Sequence, residues 1–249
     1  MTPTLVLAAH GSRDPRFGAT ARRVRNAVAS SLPGVEVVLS YLDLDEPLVG
    51  DVLGQLDGAH STHHGPVVVP MLLSAGYHHK IDLPSIIASR RPTARQTDVM
   101  GTRSLAGALA DRLIEAGLGP HDGVILSAVG SSDPAADRSV RLRAIELSTR
   151  LHRPVEVVFA TKLGPHDRAV VSAVRRLRAG GARRIAVSPY FLSAGLLTER
   201  VESALDALVD DTLVAGPLGT HPDVIEAIGS LYRTAADQRV VPAGYHPAP

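Results

Sequence analysis

The chain has 249 residues, 45% of them apolar and 20% charged, the profile of a globular protein able to bury a substantial core. Its 26 basic and 25 acidic residues leave a formal net charge of +1, which gives no general pull toward nucleic acid or an anionic membrane. Cysteine is absent, which excludes disulfides, thiolate metal sites and cysteine nucleophiles; aromatics at 3%, with no Trp, argue against a base-stacking platform. The opening MTPTLVLAAHGSRD lacks the basic region and long apolar core of a signal peptide, and no apolar run nears the ~20 residues that cross a bilayer, so a cytoplasmic location is expected.

In chain order, strands are predicted at Thr4–Ala9, Val35–Tyr41, Pro66–Leu73 and Arg95–Met100, all but the last rich in Val and Leu. Helices are predicted at Pro15–Ser31, Pro47–Leu56, Asp82–Ser89 and Ser104–Ala116. Asp14 and Pro15 form an N-cap and first-turn pair, Asp45 and Glu46 are placed to cap the second helix, and Asp82 the third. The loop HSTHHG holds His60, His63 and His64, which read first as solvated surface and second as a metal-collecting cluster. The same order of elements then repeats, and the tail after Thr234 is expected to be loosely held.

The repetition is explicit in the residues. LVLAAHGSRDP at Leu5–Pro15 resembles VILSAVGSSDP at Val124–Pro134, and PMLLSAG at Pro70–Gly76 resembles PYFLSAG at Pro189–Gly195, both at an offset of 119. VEVV at Val35–Val38 recurs at Val155–Val158, and Gly101-Thr102 at Gly219-Thr220. The chain therefore reads as a tandem duplication joined near Gly117–His121, with one repeat over residues 1–118 and another over 119–249. Alternating strands and helices imply parallel sheets, arranged either as two α/β domains or as a single (β/α)8 barrel. Either way the working residues should follow strand C-termini.

The differences between the copies point to chemistry. His10 faces Val129 in the second copy, while His78 and His79 face Leu197 and Thr198. Imidazoles after the first and third strands of one repeat converge on one sheet edge, as a metal or acid–base site would require. His79 alone reads as an ordinary loop residue, and Asp43 reads equally as a carboxylate at that edge or as a turn residue. Ser12 and nearby backbone N–H groups at the first helix N-terminus could hold an anion. A histidine phosphatase is disfavoured because Ala9, not Arg, precedes His10.

AHGSRDP, YLDLDEP and PMLLSAGYHHKIDLP together resemble the sirohydrochlorin chelatases, across nearly the whole chain and including its tandem organisation. The resemblance implies the chelatase fold, two similar domains with parallel sheets flanked by helices and facing across a cleft. It implies a lyase that inserts Fe2+ (preferred) or Co2+ into sirohydrochlorin, for sirohaem or cobalamin synthesis. The metal is then a substrate, with no permanently bound cofactor; a tetrapyrrole or metal carrier is the alternative. His10 and His78 match the catalytic, metal-binding histidines, and Asp43 stands where members often have Glu. The polycarboxylate macrocycle would meet Ser12, Arg13, Ser74, Ala75, Gly76 and Lys80, with Ser131 and Ser193 from the second repeat. A monomer acting as an internal pseudo-dimer is implied, without nucleic acid or membrane partners. Neutral imidazole suits Fe2+, Co2+ and Ni2+, and a pair without thiolates can release its ion.

Overall fold

The structure, a computed structural model, describes residues 2–56 and 65–237. The first half runs β1 (Leu5–Ala9), α1 (Pro15–Ser31), β2 (Val37–Tyr41), α2 (Val49–Gln55), β3 (Val67–Pro70), α3 (Leu83–Arg90), β4 (Arg95–Gln96) and α4 (Ala106–Glu115). The second runs β5 (Asp122–Ala128), α5 (Pro134–Leu151), β6 (Val155–Phe159), α6 (Arg168–Ala179), β7 (Arg184–Pro189), α7 (Leu196–Asp206), β8 (Thr212–Val214) and α8 (Pro222–Asp237). They build two parallel four-stranded sheets, ordered β2-β1-β3-β4 and β6-β5-β7-β8. Each sheet is open at both edges, so the barrel alternative is wrong: no strand of one sheet pairs with the other among the described residues.

Both sheets are covered on both faces, and strand alternation sorts their side chains. Val6 and Ala8 pack with Val52, Leu53 and Leu83 under α2 and α3. Leu5, Leu7 and Ala9 point the other way, into a core that also holds Val124, Leu126 and Ala128 of the second sheet. That shared core exists because the last helix of each half crosses over. α4 packs on α5 and β7, whereas α8 packs on α1 and β3. The crossing is fixed at its ends: Tyr232 Oη donates to the Pro3 carbonyl at 2.6 Å, and Asp223 at the start of α8 accepts the Ala108 N–H of α4 at 2.9 Å.

Helix α1 begins where predicted because Asp14 accepts the Arg16 N–H at 3.0 Å and Pro15 occupies the first turn. Other boundaries differ. β3 stops at Pro70, and β4 pairs for two residues only, since Val99 and Met100 are buried in and beside a 3₁₀ turn. β2 starts at Val37, and Val155 of β6 is its register equivalent, because β1 pairs Leu5 with Val37 and β5 pairs Val124 with Val155. The VEVV match was therefore two residues out of step. Asp45 and Glu46 do not cap α2, whose N-cap is Leu48 without a side-chain bond; Asp45 accepts the Ser12 N–H at 2.9 Å instead. α8 continues through Thr234 to Asp237. His60, His63 and His64 lie outside the described residues.

Candidate active site

The C-terminal ends of β1 and β3 open onto the cleft between the halves. Beyond β1 the chain turns through Gly11 at φ 95°, where an added Cβ would lie 1.7 Å from the Asp43 carbonyl oxygen. Only glycine permits this close crossing of the two loops. The Asp43 N–H then donates to the His10 carbonyl at 3.0 Å, which fixes the backbone that carries the imidazole.

His78 is set by a different device. Residues His78–Asp82 form a π-turn closed by the Leu83 N–H on the His78 carbonyl. The repeat offset explains it. Gly76 and Gly195 stand 119 apart, yet the buried pair Leu83 and Ile87 corresponds to Val201 and Leu205 at an offset of 118. The 118 offset persists where Thr97 N–H meets the Val68 carbonyl and Ala215 N–H meets that of Val187. The first repeat thus carries one extra residue between Gly76 and Leu83, and the π-turn absorbs it, as π-turns at functional sites often do. The second repeat has regular α-helix there.

These two devices bring the imidazoles together: His10 Nε2 and His78 Nε2 lie 3.0 Å apart, with ring centroids 4.3 Å apart and nearly perpendicular planes. His78 Nδ1 lies 2.6 Å from Asp82 Oδ2. A carboxylate only accepts, so His78 Nδ1 carries a proton, and in the neutral form of the ring the bare nitrogen is the Nε2 that faces His10. Asp82 is accordingly not the helix cap expected; it makes no cap bond and orients an imidazole instead. Burial first, and then the neighbouring His78, push the His10 pKa below its ordinary value, which keeps the ring neutral. Two nitrogens ~2.1 Å from a common ion and ~3.0 Å apart subtend about 90° there, an angle open to further ligands. The pair can hold a divalent ion without enclosing it.

The other predicted residues are distributed unevenly. Asp43 is exposed, and its Oδ1 accepts the adjacent Leu44 N–H at 2.8 Å. Among the described residues no cluster of three His, Asp or Glu side chains is placed to hold one ion. His79 turns away from the cleft, its Nδ1 3.0 Å from the Gln96 amide nitrogen. Ser74, Gly76 and Ser131 line a cavity of about 430 Å³ together with His10 and His78. Ala75 lies in the same loop. The Ser12 N–H is committed to Asp45 and the Ser12 hydroxyl accepts the Asp14 N–H, leaving the hydroxyl proton available. Arg13 is exposed beside it. Ser193 is buried, between the Thr20 hydroxyl at 3.3 Å and the Ala194 carbonyl at 3.1 Å.

Lys80 crosses the cleft to Asp133, the N-cap of α5, at 2.6 Å, and this pairing holds the Asp133 carboxyl below its usual range. Its counterpart in the second repeat is Glu199, which reaches back to Arg16 on α1, also at 2.6 Å. The halves are thus tied by two pseudo-symmetric bridges of opposite polarity. Asp82, Arg16 and Asp133 were not singled out as site groups from sequence. A carboxylate four residues after His78 was the available signal for Asp82.

Two repeated parallel α/β units, closing on a cleft with a converging imidazole pair in one of them, define a two-repeat chelatase-type protein. The chain belongs to the CbiX family, which matches residues 4–116 and again 123–235. Sirohydrochlorin cobaltochelatase from Priestia megaterium is 24% identical over 243 residues, covering 88% of this chain and 75% of the relative. The fold is shared with the sirohydrochlorin chelatase SirB of Bacillus subtilis subspecies spizizenii in complex with cobalt, at a TM-score of 0.74 and 22% identity over 95% of this chain and 96% of that one. SirB from Bacillus subtilis with Fe3+ gives a TM-score of 0.76 and 24% identity over the same shares. No helix among the described residues is long and apolar enough to cross a membrane.

Proposed function

We propose that the chain inserts Fe2+ or Co2+ into sirohydrochlorin, with His10 and His78 of the repeat spanning residues 1–118 holding the incoming ion. The observation that carries this reading is the 3.0 Å approach of the two Nε2 atoms inside a cavity that both repeats line. Membership of the CbiX family supports it, as does the cobaltochelatase activity named for the Priestia megaterium relative. Two neutral imidazoles accept either metal, and cellular supply would then select between them.

The ion binds as substrate between the two imidazoles, with His10 shifting its proton to Nδ1 to free the second lone pair. Two pyrrole nitrogens must lose protons as the ion passes to the macrocycle. Each departing metal–nitrogen bond returns a lone pair to an imidazole, which can take one of those protons and release it to solvent. Asp82 orients His78 through its Nδ1 contact. Asp43 faces the same edge from solvent. Ser12, Arg13, Ser74, Gly76, Lys80 and Ser131 would receive carboxylates, Lys80 by exchanging Asp133 for substrate. The protein works as a monomer in the cytoplasm, without a resident cofactor.

The test is anaerobic insertion by wild type, His10→Ala and His78→Ala. Each variant should lose at least about 100-fold in kcat/KM while still binding the metal-free macrocycle. Wild-type rates in both variants would remove the imidazoles from the reaction.

A further inference from the structure

His10 and Val129 occupy the same place in their respective repeats. Each follows the central strand and precedes a left-handed glycine, Gly11 at φ 95° or Gly130 at φ 87°. The Val129 carbonyl accepts the Thr161 N–H at 3.0 Å, as the His10 carbonyl accepts that of Asp43. An added Cβ at Gly130 would lie 2.6 Å from Thr161 Oγ1 and 2.9 Å from Phe159 Cβ, so this turn is also closed to a side chain, though by side-chain atoms rather than by backbone. The backbone therefore presents Val129 to the cleft as it presents His10, and both side chains line the same cavity. Val129 is nevertheless 43% exposed, with buried Val140 and Leu192 also lining the cavity from the second repeat.

We propose that Val129 is a specificity-determining residue: it is the centre of an apolar platform on which the second face of the macrocycle rests. This inference rests on the chelatase reading. To receive an ion from His10 and His78, a flat macrocycle must lie over their Nε2 atoms within about a metal–nitrogen bond of the ion. Its other face then meets the wall supplied by the second repeat. An isopropyl group there gains by covering a conjugated face and offers no lone pair, so the ion enters from one side and meets no ligand on the other. The loss of the second repeat's imidazole becomes a functional feature: one repeat handles metal and the other handles the ring.

The experiment measures two affinities on the full chain: metal-free sirohydrochlorin by fluorescence quenching, and Co2+ by its visible absorption. Val129→Thr keeps the shape and adds a hydroxyl; Val129→Asn adds an amide. The macrocycle Kd should rise about threefold and about tenfold respectively, as unpaired polar groups meet the ring, with the Co2+ Kd unchanged within about twofold. His10→Ala combined with His78→Ala should show the reverse pattern. Because Val129→Thr is nearly isosteric, it answers the question even if the Asn variant folds poorly. Val129→Thr and Val129→Asn both binding the macrocycle like wild type, in a protein whose wild type turns over, would overturn the platform and leave the chelatase reading standing. Failure of the wild type to bind sirohydrochlorin at all would remove both.

Discussion

Replacing Asp82 separates orientation of His78 from its presence. The carboxylate lies 2.6 Å from Nδ1, and the side chains of His78 and Asp82 are 41% and 33% exposed. Carboxylate partners of ligating imidazoles are worth about 10- to 100-fold in metal affinity, or about 1.4–2.8 kcal/mol. The solvent exposure of this pair keeps the effect below the top of that range. In Asp82→Asn the amide oxygen can still accept the Nδ1 proton, so a loss of about tenfold in Co2+ affinity is expected. Asp82→Ala leaves the tautomer unfixed and should lose about 30-fold. The pair is too exposed to contribute more than about 1 kcal/mol to folding, so Tm should move little. The assay is a Co2+ titration by visible absorption, with ¹⁵N shifts of His78 reporting its tautomer. Co2+ affinity within twofold of wild type in Asp82→Ala, with the wild-type tautomer retained, would refute the orienting role.

Further outcomes follow from the same structure. Asp122 has a side chain only 7% exposed and accepts from Arg184 at 2.6 Å and from the Gly119 N–H at 2.7 Å, so Asp122→Ala should destabilise the fold by about 3 kcal/mol, read by urea unfolding. Arg184 holds the folded-state Asp122 pKa below its ordinary value; its contribution is therefore full above about pH 4 and disappears as pH falls through the depressed folded value. In Asp122→Ala that acid-dependent part should be missing. Gly11→Ala places a methyl 1.7 Å from the Asp43 carbonyl at a positive φ and should cost more than about 3 kcal/mol, with loss of metal binding in whatever remains folded. Burial and His78 lower the His10 pKa, so the His10 imidazole should titrate below about pH 6.5 when followed by NMR; a His10 midpoint above that value would contradict a neutral His10 in the resting site.

What the sequence revealed and what it concealed have physical reasons. The duplication, the first helix and the convergence of His10 with His78 were legible because each rests on local signals: strand–turn–helix spacing, the Asp14–Pro15 cap, and imidazoles present in one copy only. The crossing of α4 and α8 was not legible, since an amphipathic stripe specifies that a helix is half-buried but not which sheet buries it. Asp82 looked like a cap because Asp before a Leu-Pro helix start usually is one; the one-residue excess absorbed by the π-turn turns it onto His78 instead. β4 was overestimated because Val99 and Met100 are buried, but by a 3₁₀ turn rather than by pairing. Lys80 was anticipated at the cleft; its partner Asp133 becomes visible only when the two halves face each other.

The central claim is that the imidazole pair delivers a metal ion repeatedly to a tetrapyrrole. It is tested most directly by anaerobic incubation of catalytic amounts of the chain with excess sirohydrochlorin and Co2+ or Fe2+, following the macrocycle's absorbance. The prediction is many turnovers per chain above the uncatalysed rate, abolished when His10 and His78 are both replaced by Ala. A spectral change that stops at one equivalent, or a rate unaffected by the double replacement, would contradict it.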